Sequence, residues 1–490
     1  MPQADLDLDA LLGAVVPRLV ALLREADDRA ARVCTLAGPP AIEQALADAG
    51  VPLALRPEEP AHDAAALARA VEAIAARSVR TLHPRFFNQN FAGADPVAIV
   101  GDWIGAALNT TLATYEAAPV FTLIERALVA RLAQLAGWST HEGLFVSGGS
   151  LANLYALQLA RVRADPEVLE RGPGGPRLVA FTSAQSHYSL TKAAALLGLG
   201  RRALVVVPCD ALGRMRADAL AAALQAAEAR GERPFFVNAT AGTTVLGAFD
   251  PLAELAALCE RHGSWLHVDG TFGAAALLSP AQRERMAGVE RADSLAWNLH
   301  KMAGVTQQCA ALLVRRPGAL RAAFATGAEY LFQPDKPHAA LDTGDLTFQC
   351  ARRNDVLKAW LTWKARGDAG LAARVDHAVT LAELCARKLE GDPRFALAAP
   401  PSWVNVCFWW VPPALRPLDR ARPGVDATLH ALAPAIKAQM LDEGATMLGY
   451  QPIAGAPNCF RLLFINPAVR EDDIDAVLAA IDRHGRAVTG

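Results

Sequence analysis

A lysine and an aspartate each close a short apolar run in this chain: Lys301 follows SLAW (294–297) within WNLHKMAG, and Asp269 ends WLHVD (265–269). A lysine at a strand end can form a Schiff base with an aldehyde when its surroundings keep part of it unprotonated, although an isolated lysine is more often a surface residue. A carboxylate at a buried strand end needs a cationic partner, because an unpaired buried charge is costly. A protonated pyridine nitrogen would be such a partner, and holding it protonated makes the ring an electron sink for a carbanion. A third feature, FVSGGSLANLYAL, supplies a strand, a Ser-Gly-Gly-Ser turn at 147–150 and an apolar-periodic helix. Glycines permit tight turning, and the helix N-terminus favours a phosphate. A Gly-Gly turn alone is commonly punctuation. Taken with the lysine and the aspartate, it fits a cofactor with a phosphate, a ring nitrogen and an aldehyde, which is the description of pyridoxal 5'-phosphate. Neither a dinucleotide G-x-G-x-x-G after an early strand nor a G-x-x-x-x-G-K-[ST] loop is present, which removes the nicotinamide and nucleoside-triphosphate readings.

These residues need a scaffold that brings strand ends together. Between about 80 and 365, apolar runs alternate with helical stretches: LVAF (178–181), ALVVV (203–207), FFVNAT (235–240), WLHVD, SLAW and AALLV (310–314). The alternation predicts an α/β fold with a largely parallel sheet covered by helices, and ligands in such sheets sit at the carboxyl ends of strands. Residues 1–80 are Ala-rich and helical in pattern, broken at Gly38-Pro39-Pro40 and from Pro52 to Pro60. Beyond a helical stretch around 355–390, the runs WVNVCFWWV (403–411) and CFRLLFI (459–465), with helices near 426–443 and from 471, predict a small C-terminal α/β domain.

The 490 residues are too many for one core, so two or three folding units are expected. A formal net charge of -2 leaves no basic footprint for nucleic acid or an anionic membrane, and no run approaches the length of a bilayer span. A small molecule is therefore the expected partner. Eight cysteines are scattered without a C-x-x-C pair and read as reduced thiols; no metal ligand set is expected. The N-terminus is acidic before its apolar stretch, the wrong order for a secretory signal, so a cytoplasmic location is expected.

Further motifs follow in order: HPRFFNQ (83–89), TYEAAPVF (114–121), SHYS (186–189), VNATAGTTVLGAFDP (237–251), YLFQPDK (330–336), DTGD (342–345), NVCFWWVP (405–412) and GYQP (449–452). With SGGS and WNLHKM they resemble the group II pyridoxal-phosphate-dependent amino acid decarboxylases, in the glutamate, cysteine-sulfinate and aspartate decarboxylase branch, over roughly residues 80 to 480. The resemblance implies the aspartate aminotransferase type of fold (fold type I), with a large, mostly parallel seven-stranded sheet domain. It also implies a homodimer with active sites at the subunit interface. The expected divisions are an N-terminal helical arm at that interface (1–80), a large cofactor-binding domain (81–365) and a small C-terminal domain (366–490).

The resemblance also implies roles. Lys301 would carry the cofactor, Asp269 would pair with its ring nitrogen, and His187 would stack on the ring. Thr240 and Thr271 would lie beside the ring, while Gly149, Ser150, Asn298 and His300 would hold the phosphate. Tyr330, on a loop reaching the neighbouring subunit's site, would return a proton to the α-carbon. Arg461, Gln89, Phe91 and Thr111 would contact substrate, the guanidinium of Arg461 binding a carboxylate through two parallel bonds. Phe91 resembles the cysteine-sulfinate and aspartate-acting branch and would shorten the pocket, whereas Ala113, where an aromatic is usual, would widen it. Gly270 and Thr271 stand where the family usually has alanines, and Leu299 where it usually has proline. The expected reaction is α-decarboxylation of an acidic amino acid, aspartate or cysteine sulfinate ahead of glutamate. A decarboxylase of aromatic or diamino acids, an aminotransferase of the same fold and a non-catalytic cofactor-binding protein are the rivals.

Overall fold

A computed structural model describes residues 7–57, 61–328, 330–453 and 455–490. Its first eight strands are β1 (Phe86–Phe87), β2 (Glu142–Val146), β3 (Leu178–Ser183), β4 (Leu204–Val207), β5 (Arg233–Thr240), β6 (Trp265–Asp269), β7 (Ser294–Asn298) and β8 (Ala310–Val314). The last four are β9 (Phe395–Leu397), β10 (Asn405–Trp410), β11 (Met447–Pro452) and β12 (Asn458–Leu463). Contacts group the chain into two units: Met1–Gly93 with Leu384–Ala398 and Phe408–Gly490, and Ala94–Glu383 with Ala399–Cys407.

The second unit holds a seven-stranded sheet in the order β2-β8-β7-β6-β5-β3-β4. The pairs β7-β6, β6-β5, β5-β3 and β3-β4 are parallel, while β8 runs antiparallel to both of its neighbours. The sheet is the mostly parallel, seven-stranded one expected of fold type I. Two reversals leave β2 pointing the same way as β7, so β2, β3, β5, β6 and β7 all end on one edge. Strands β3, β6, β7 and β8 are buried along their whole length, as a sheet covered on both faces requires. The helix Gly149–Ala164 crosses β5 to β8. Its inner face alternates small and large residues, Ala152, Ala156 and Ala160 with Tyr155, Leu157 and Leu159, and these pack with Leu144, Phe236, Trp265 and Leu312. Each fully buried Leu or Phe contributes about 1.5–3 kcal/mol of transfer free energy.

In the first unit, β11, β12, β10 and β9 form an extended sheet with β1 at its edge, and the helices Val425–Glu443 and Glu471–Thr489 belong to the same unit. The division differs from boundaries at 80 and 365, because residues near 30 are tied to C-terminal elements. Val33 N–H donates to the Gly444 carbonyl (2.8 Å), and Asp473 accepts from Arg29 Nη2 (2.9 Å) and Arg85 Nε (3.2 Å). A second difference concerns Pro39 and Pro40, expected to break a helix. They occupy the first turn of the helix Pro39–Asp48, where a missing N–H costs nothing. The stretch near 355–390 is two helices joined across Gly367, whose φ of 60° no other residue type adopts comfortably.

One buried ion pair fixes β2 and hence the turn that follows it. Arg352 and Glu125 meet through two parallel bonds (2.6 and 2.9 Å); Glu125 also accepts from Phe145 N–H (2.8 Å), and Arg352 donates to the Phe145 and Leu112 carbonyls (both 3.0 Å). Removing one member strands the other charge, so Glu125→Ala lowers stability by about 3–5 kcal/mol, whereas the double replacement Glu125→Leu with Arg352→Met recovers most of it. Thermal unfolding of the three proteins checks this; an unshifted Glu125→Ala midpoint contradicts it.

Candidate active site

The common strand edge in the second unit collects most of the chemistry-bearing residues. SGGS follows β2, His187 follows β3, Thr240 ends β5, Asp269 ends β6, and Asn298, His300 and Lys301 end or follow β7. Register places Thr240 directly beside Asp269, and Asn238 beside His267.

Asp269 is 3 % exposed. Burial alone would neutralise its carboxyl, but a 2.8 Å bond from Asn153 Nδ2, the charge of Lys301 and a 3.2 Å bond from Thr271 N–H hold its pKa below the ordinary value. Burial pulls Lys301 down to about 8, against the opposing pull of Asp269. Its Nζ donates to Thr271 Oγ1 (3.3 Å) and lies 5.5 Å from the Phe272 ring centroid. His187 is likewise lowered, chiefly by burial, and its Nδ1 accepts from Ser189 N–H (3.3 Å), which leaves the proton of the neutral ring on Nε2. Burial takes His300 to about 4, so it is neutral at physiological pH; its Nε2 lies 3.3 Å from Asn298 Nδ2.

Four residues that the motifs did not single out hold Asp269 in place. The indole N–H of Trp265 donates to Ser294 Oγ (2.8 Å), Ser294 Oγ–H to His267 Nδ1 (2.8 Å), His267 Nε2–H to Asn153 Oδ1 (3.0 Å), and Asn153 Nδ2–H to Asp269. The directions follow from the last member: an ionised carboxylate only accepts, so Asn153 presents Nδ2 to Asp269 and Oδ1 to His267 Nε2–H, which leaves Nδ1 of the neutral ring to accept from Ser294. Burial lowers His267 to about 4, consistent with this neutral tautomer. A signal did exist: His267 is two residues from Asp269 on one strand and therefore on the same sheet face.

The residues present fit pyridoxal phosphate. The helix Gly149–Ala164 starts at Gly148 (φ 138°) with no side chain capping its first N–H groups. A Cβ at Gly149 would stand 2.4 Å from the Thr271 methyl and 3.2 Å from the Asn298 amide, so only glycine leaves this cradle open. Ser150 is exposed in its first turn. An ionised carboxylate, a partly neutral lysine and an uncapped helix start match ring nitrogen, aldehyde and phosphate in turn. The glycine at 270 also has a local reason: a Cβ there would lie 2.8 Å from Leu295 Cδ1 and 2.9 Å from Ala274 Cβ.

Other expected site residues are placed elsewhere. Tyr330 is 84 % exposed, in a turn where its carbonyl accepts from Gln333, and it is not among the partners of Lys301. Thr111 spends its hydroxyl on the Arg352 carbonyl (3.1 Å). Ala113 is buried, and its carbonyl accepts from Thr343 and Gly344. In the first unit, buried Arg461 donates through Nη2 to the Asn88 carbonyl (3.1 Å), and Lys437 Nζ reaches Asn88 Oδ1 (3.2 Å). Gln89 is exposed, and the Phe91 ring lies 6.2 Å from that of Phe86.

Two outcomes follow from this geometry. Asn153→Ala removes a bond to a buried charge worth about 1.5–3 kcal/mol, so the dissociation constant for pyridoxal phosphate rises about tenfold or more at unchanged circular dichroism. With Lys301 near 8, its reactive neutral form grows about tenfold per pH unit below that value and levels above it. Capture of the aldehyde by apoprotein, followed by absorbance, therefore rises with pH and flattens near pH 8; a rate still climbing at pH 9.5 contradicts it.

Comparison with known proteins places this geometry. Residues 51–411 match the pyridoxal-dependent decarboxylase conserved domain. Cysteine sulfinic acid decarboxylase of Rattus norvegicus is 46% identical over 412 residues, 84% of this chain and 83% of that protein. Acidic amino acid decarboxylase GADL1 of Bos taurus is 45% identical over the same length, 84% of this chain and 79% of that protein. The crystal structure of mouse CSAD in apo form superposes with a TM-score of 0.93 at 41% identity, covering 98% of each chain. The cofactor is accordingly pyridoxal phosphate, and the chain belongs to the pyridoxal-dependent decarboxylase family.

Proposed function

We propose that this enzyme removes the α-carboxylate of a short acidic amino acid, aspartate or cysteine sulfinate in preference to glutamate, giving β-alanine or hypotaurine. The observation that carries the substrate reading is the pair of cations at Asn88, beside Gln89. Arg461 holds the Asn88 carbonyl and Lys437 its side-chain oxygen, and burial and then the Arg461 charge pull Lys437 below its ordinary pKa. Two cations at one segment suit a carboxylate or sulfinate side chain and disfavour an aromatic or diamino one. Phe91 packed toward Phe86 supports a shorter pocket than glutamate needs. The names of the relatives at 45–46% identity, cysteine sulfinic acid and acidic amino acid decarboxylases, agree with this choice.

When bound, pyridoxal phosphate supplies the electron sink that lets the bond to the departing carboxylate break. Asp269, its charge held by Asn153 and Thr271, would pair with the ring nitrogen. Gly149, Ser150, Asn298 and His300 would hold the phosphate, and His187, Thr240 and Thr271 would lie against the ring. Lys301, neutral for part of the time at physiological pH, would carry the aldehyde, with Thr271 Oγ1 orienting its Nζ. Arg461, with Gln89, Phe91 and Thr111, would bind and orient the substrate. Tyr330 delivers the proton to the α-carbon, and its exposure suits a side chain that serves the site of a second subunit.

A homodimer is part of the same proposal. The helix Pro96–Leu108 exposes Val100, Trp103, Ile104 and Leu108, and the helix Pro119–Leu135 exposes Val120 and Leu123; such apolar faces call for cover. The N-terminal residues 1–80, which expose Leu8, Leu12 and Ile74, would act as an arm at that interface. Eight cysteines scattered without a C-x-x-C pair support a cytoplasmic setting.

The deciding experiment incubates cofactor-loaded enzyme with aspartate, cysteine sulfinate, glutamate, tyrosine and 2,4-diaminobutyrate, scoring CO2 and amine together. Acidic substrates turn over, Lys301→Ala abolishes the reaction, and Arg461→Ala lowers kcat/KM by roughly thirtyfold or more. Turnover confined to tyrosine or diaminobutyrate, or an Arg461→Ala enzyme as active as its parent, sinks the substrate reading.

A further inference from the structure

The sheet of the second unit has another edge, at the N-terminal ends of β3 and β5, opposite the one that carries Lys301. There the end of the helix Gly149–Ala164, the start of β3 and the segment 172–177 enclose a cavity of about 340 Å3. Four arginines line it, Arg161, Arg177, Arg202 and Arg230, against two acids, Asp165 and Glu232. Both acids are already engaged. Asp165 binds Arg171 (2.5 Å), and Glu232 takes both Arg177 (2.8 Å) and Arg230 (2.7 Å). Arg161 and Arg202 are left facing the cavity without an acid of their own among the described residues.

Arg161 is the informative one. It is only 9 % exposed, and its Nε is buried without a hydrogen-bond partner. Burial pulls its pKa below the ordinary value, and the one acid whose charge opposes that, Asp165, is bonded to Arg171 instead. A helix C-terminus favours a cation, but an arginine reaching into solvent would serve the dipole equally well. A buried guanidinium lining a cavity is costly unless something anionic completes it. The planar fork of a guanidinium matches a phosphate or carboxylate through paired bonds.

We propose that this cavity binds a small dianion, a phosphate monoester or a short dicarboxylate, through Arg161 and Arg202, at a site separate from the cofactor. The volume suits a small metabolite rather than a macromolecule. The helix whose last turn carries Arg161 is the one that begins at Gly149, so an occupant here would bear on the far end of the element whose start would form the phosphate cradle.

Calorimetric titration of the cofactor-loaded enzyme tests this, with inorganic phosphate in one arm and succinate in the other, at an ionic strength fixed by chloride. Saturable binding of one of them is expected, weakened roughly tenfold or more in Arg202→Ala and lost in Arg161→Met. Saturation by phosphate alone assigns a phosphoryl ligand, and by succinate alone a dicarboxylate. Arg202 is exposed, so its replacement keeps the test decisive even where Arg161→Met folds poorly. The proposal is overturned if neither anion saturates below roughly 10 mM, or if Arg202→Ala binds as tightly as the parent, as an anion caught elsewhere would.

Discussion

The ionised carboxylate of Asp269 is the constraint on which the rest of this site depends. At 3 % exposure it would take up a proton were its surroundings apolar. It stays charged because a donor is aimed at it from a chain of four side chains whose polarity the carboxylate itself sets: Asp269 accepts from Asn153 Nδ2, so Asn153 Oδ1 takes the His267 Nε2 proton and His267 Nδ1 takes that of Ser294, on which the Trp265 indole N–H closes. Buried polar networks are stabilising when every member is satisfied and costly when one is not. The relay is therefore as much a condition on the fold of β6 and β7 as on the chemistry. His267 and Ser294 are register partners, and a one-residue slip would break it.

Parallel strands supply the second half of the arrangement. Residues far apart in sequence, from SGGS at 147 to Lys301, come together because six strands end on the same edge, and five of them contribute a last residue or the turn beyond it. Geometry at that edge is tight. Gly149 and Thr271 share the space of one methyl group, while Leu295 and Ala274 fill the space that a side chain at 270 would need. The threonine that departs from the usual family pattern is accommodated by the glycine at 149, and its hydroxyl accepts from the lysine. Substitution at Gly149 is therefore felt at Thr271.

Legibility in the sequence followed the same physics. Short apolar runs ending in a polar residue are visible one at a time, so β3, β6, β7 and β8, and with them Lys301 and Asp269, could be read nearly to the residue. Strand β11 could not: MLGYQP carries glycine and proline and resembles a turn, and it becomes a strand through its pairing with β12 and β1. Pro39 and Pro40 misled for a related reason, since proline breaks or begins a helix according to what precedes it. The relay behind Asp269 involves Asn153, 116 positions away from its acceptor, and no local pattern announces a partner at that distance. Roles for Tyr330 and Arg461 rest on resemblance alone, because a lone tyrosine in a loop and a lone arginine in a strand carry no spacing that distinguishes function from packing.

Charge accounting distinguishes the two ends of the helix Gly149–Ala164. At its start, N–H groups without a side-chain cap and a glycine turn leave positive potential, with no acidic residue in the first turn. At its end, a buried guanidinium is left over after every nearby carboxylate has been assigned. A folded chain tolerates an unmatched buried charge poorly, and the Glu125–Arg352 pair shows how this one deals with the problem elsewhere, by two parallel bonds and three backbone partners. Measured against that pair, the helix start and the Arg161 cavity stand out for the same physical reason: each presents positive charge that the protein itself does not neutralise, and each is open to an anion.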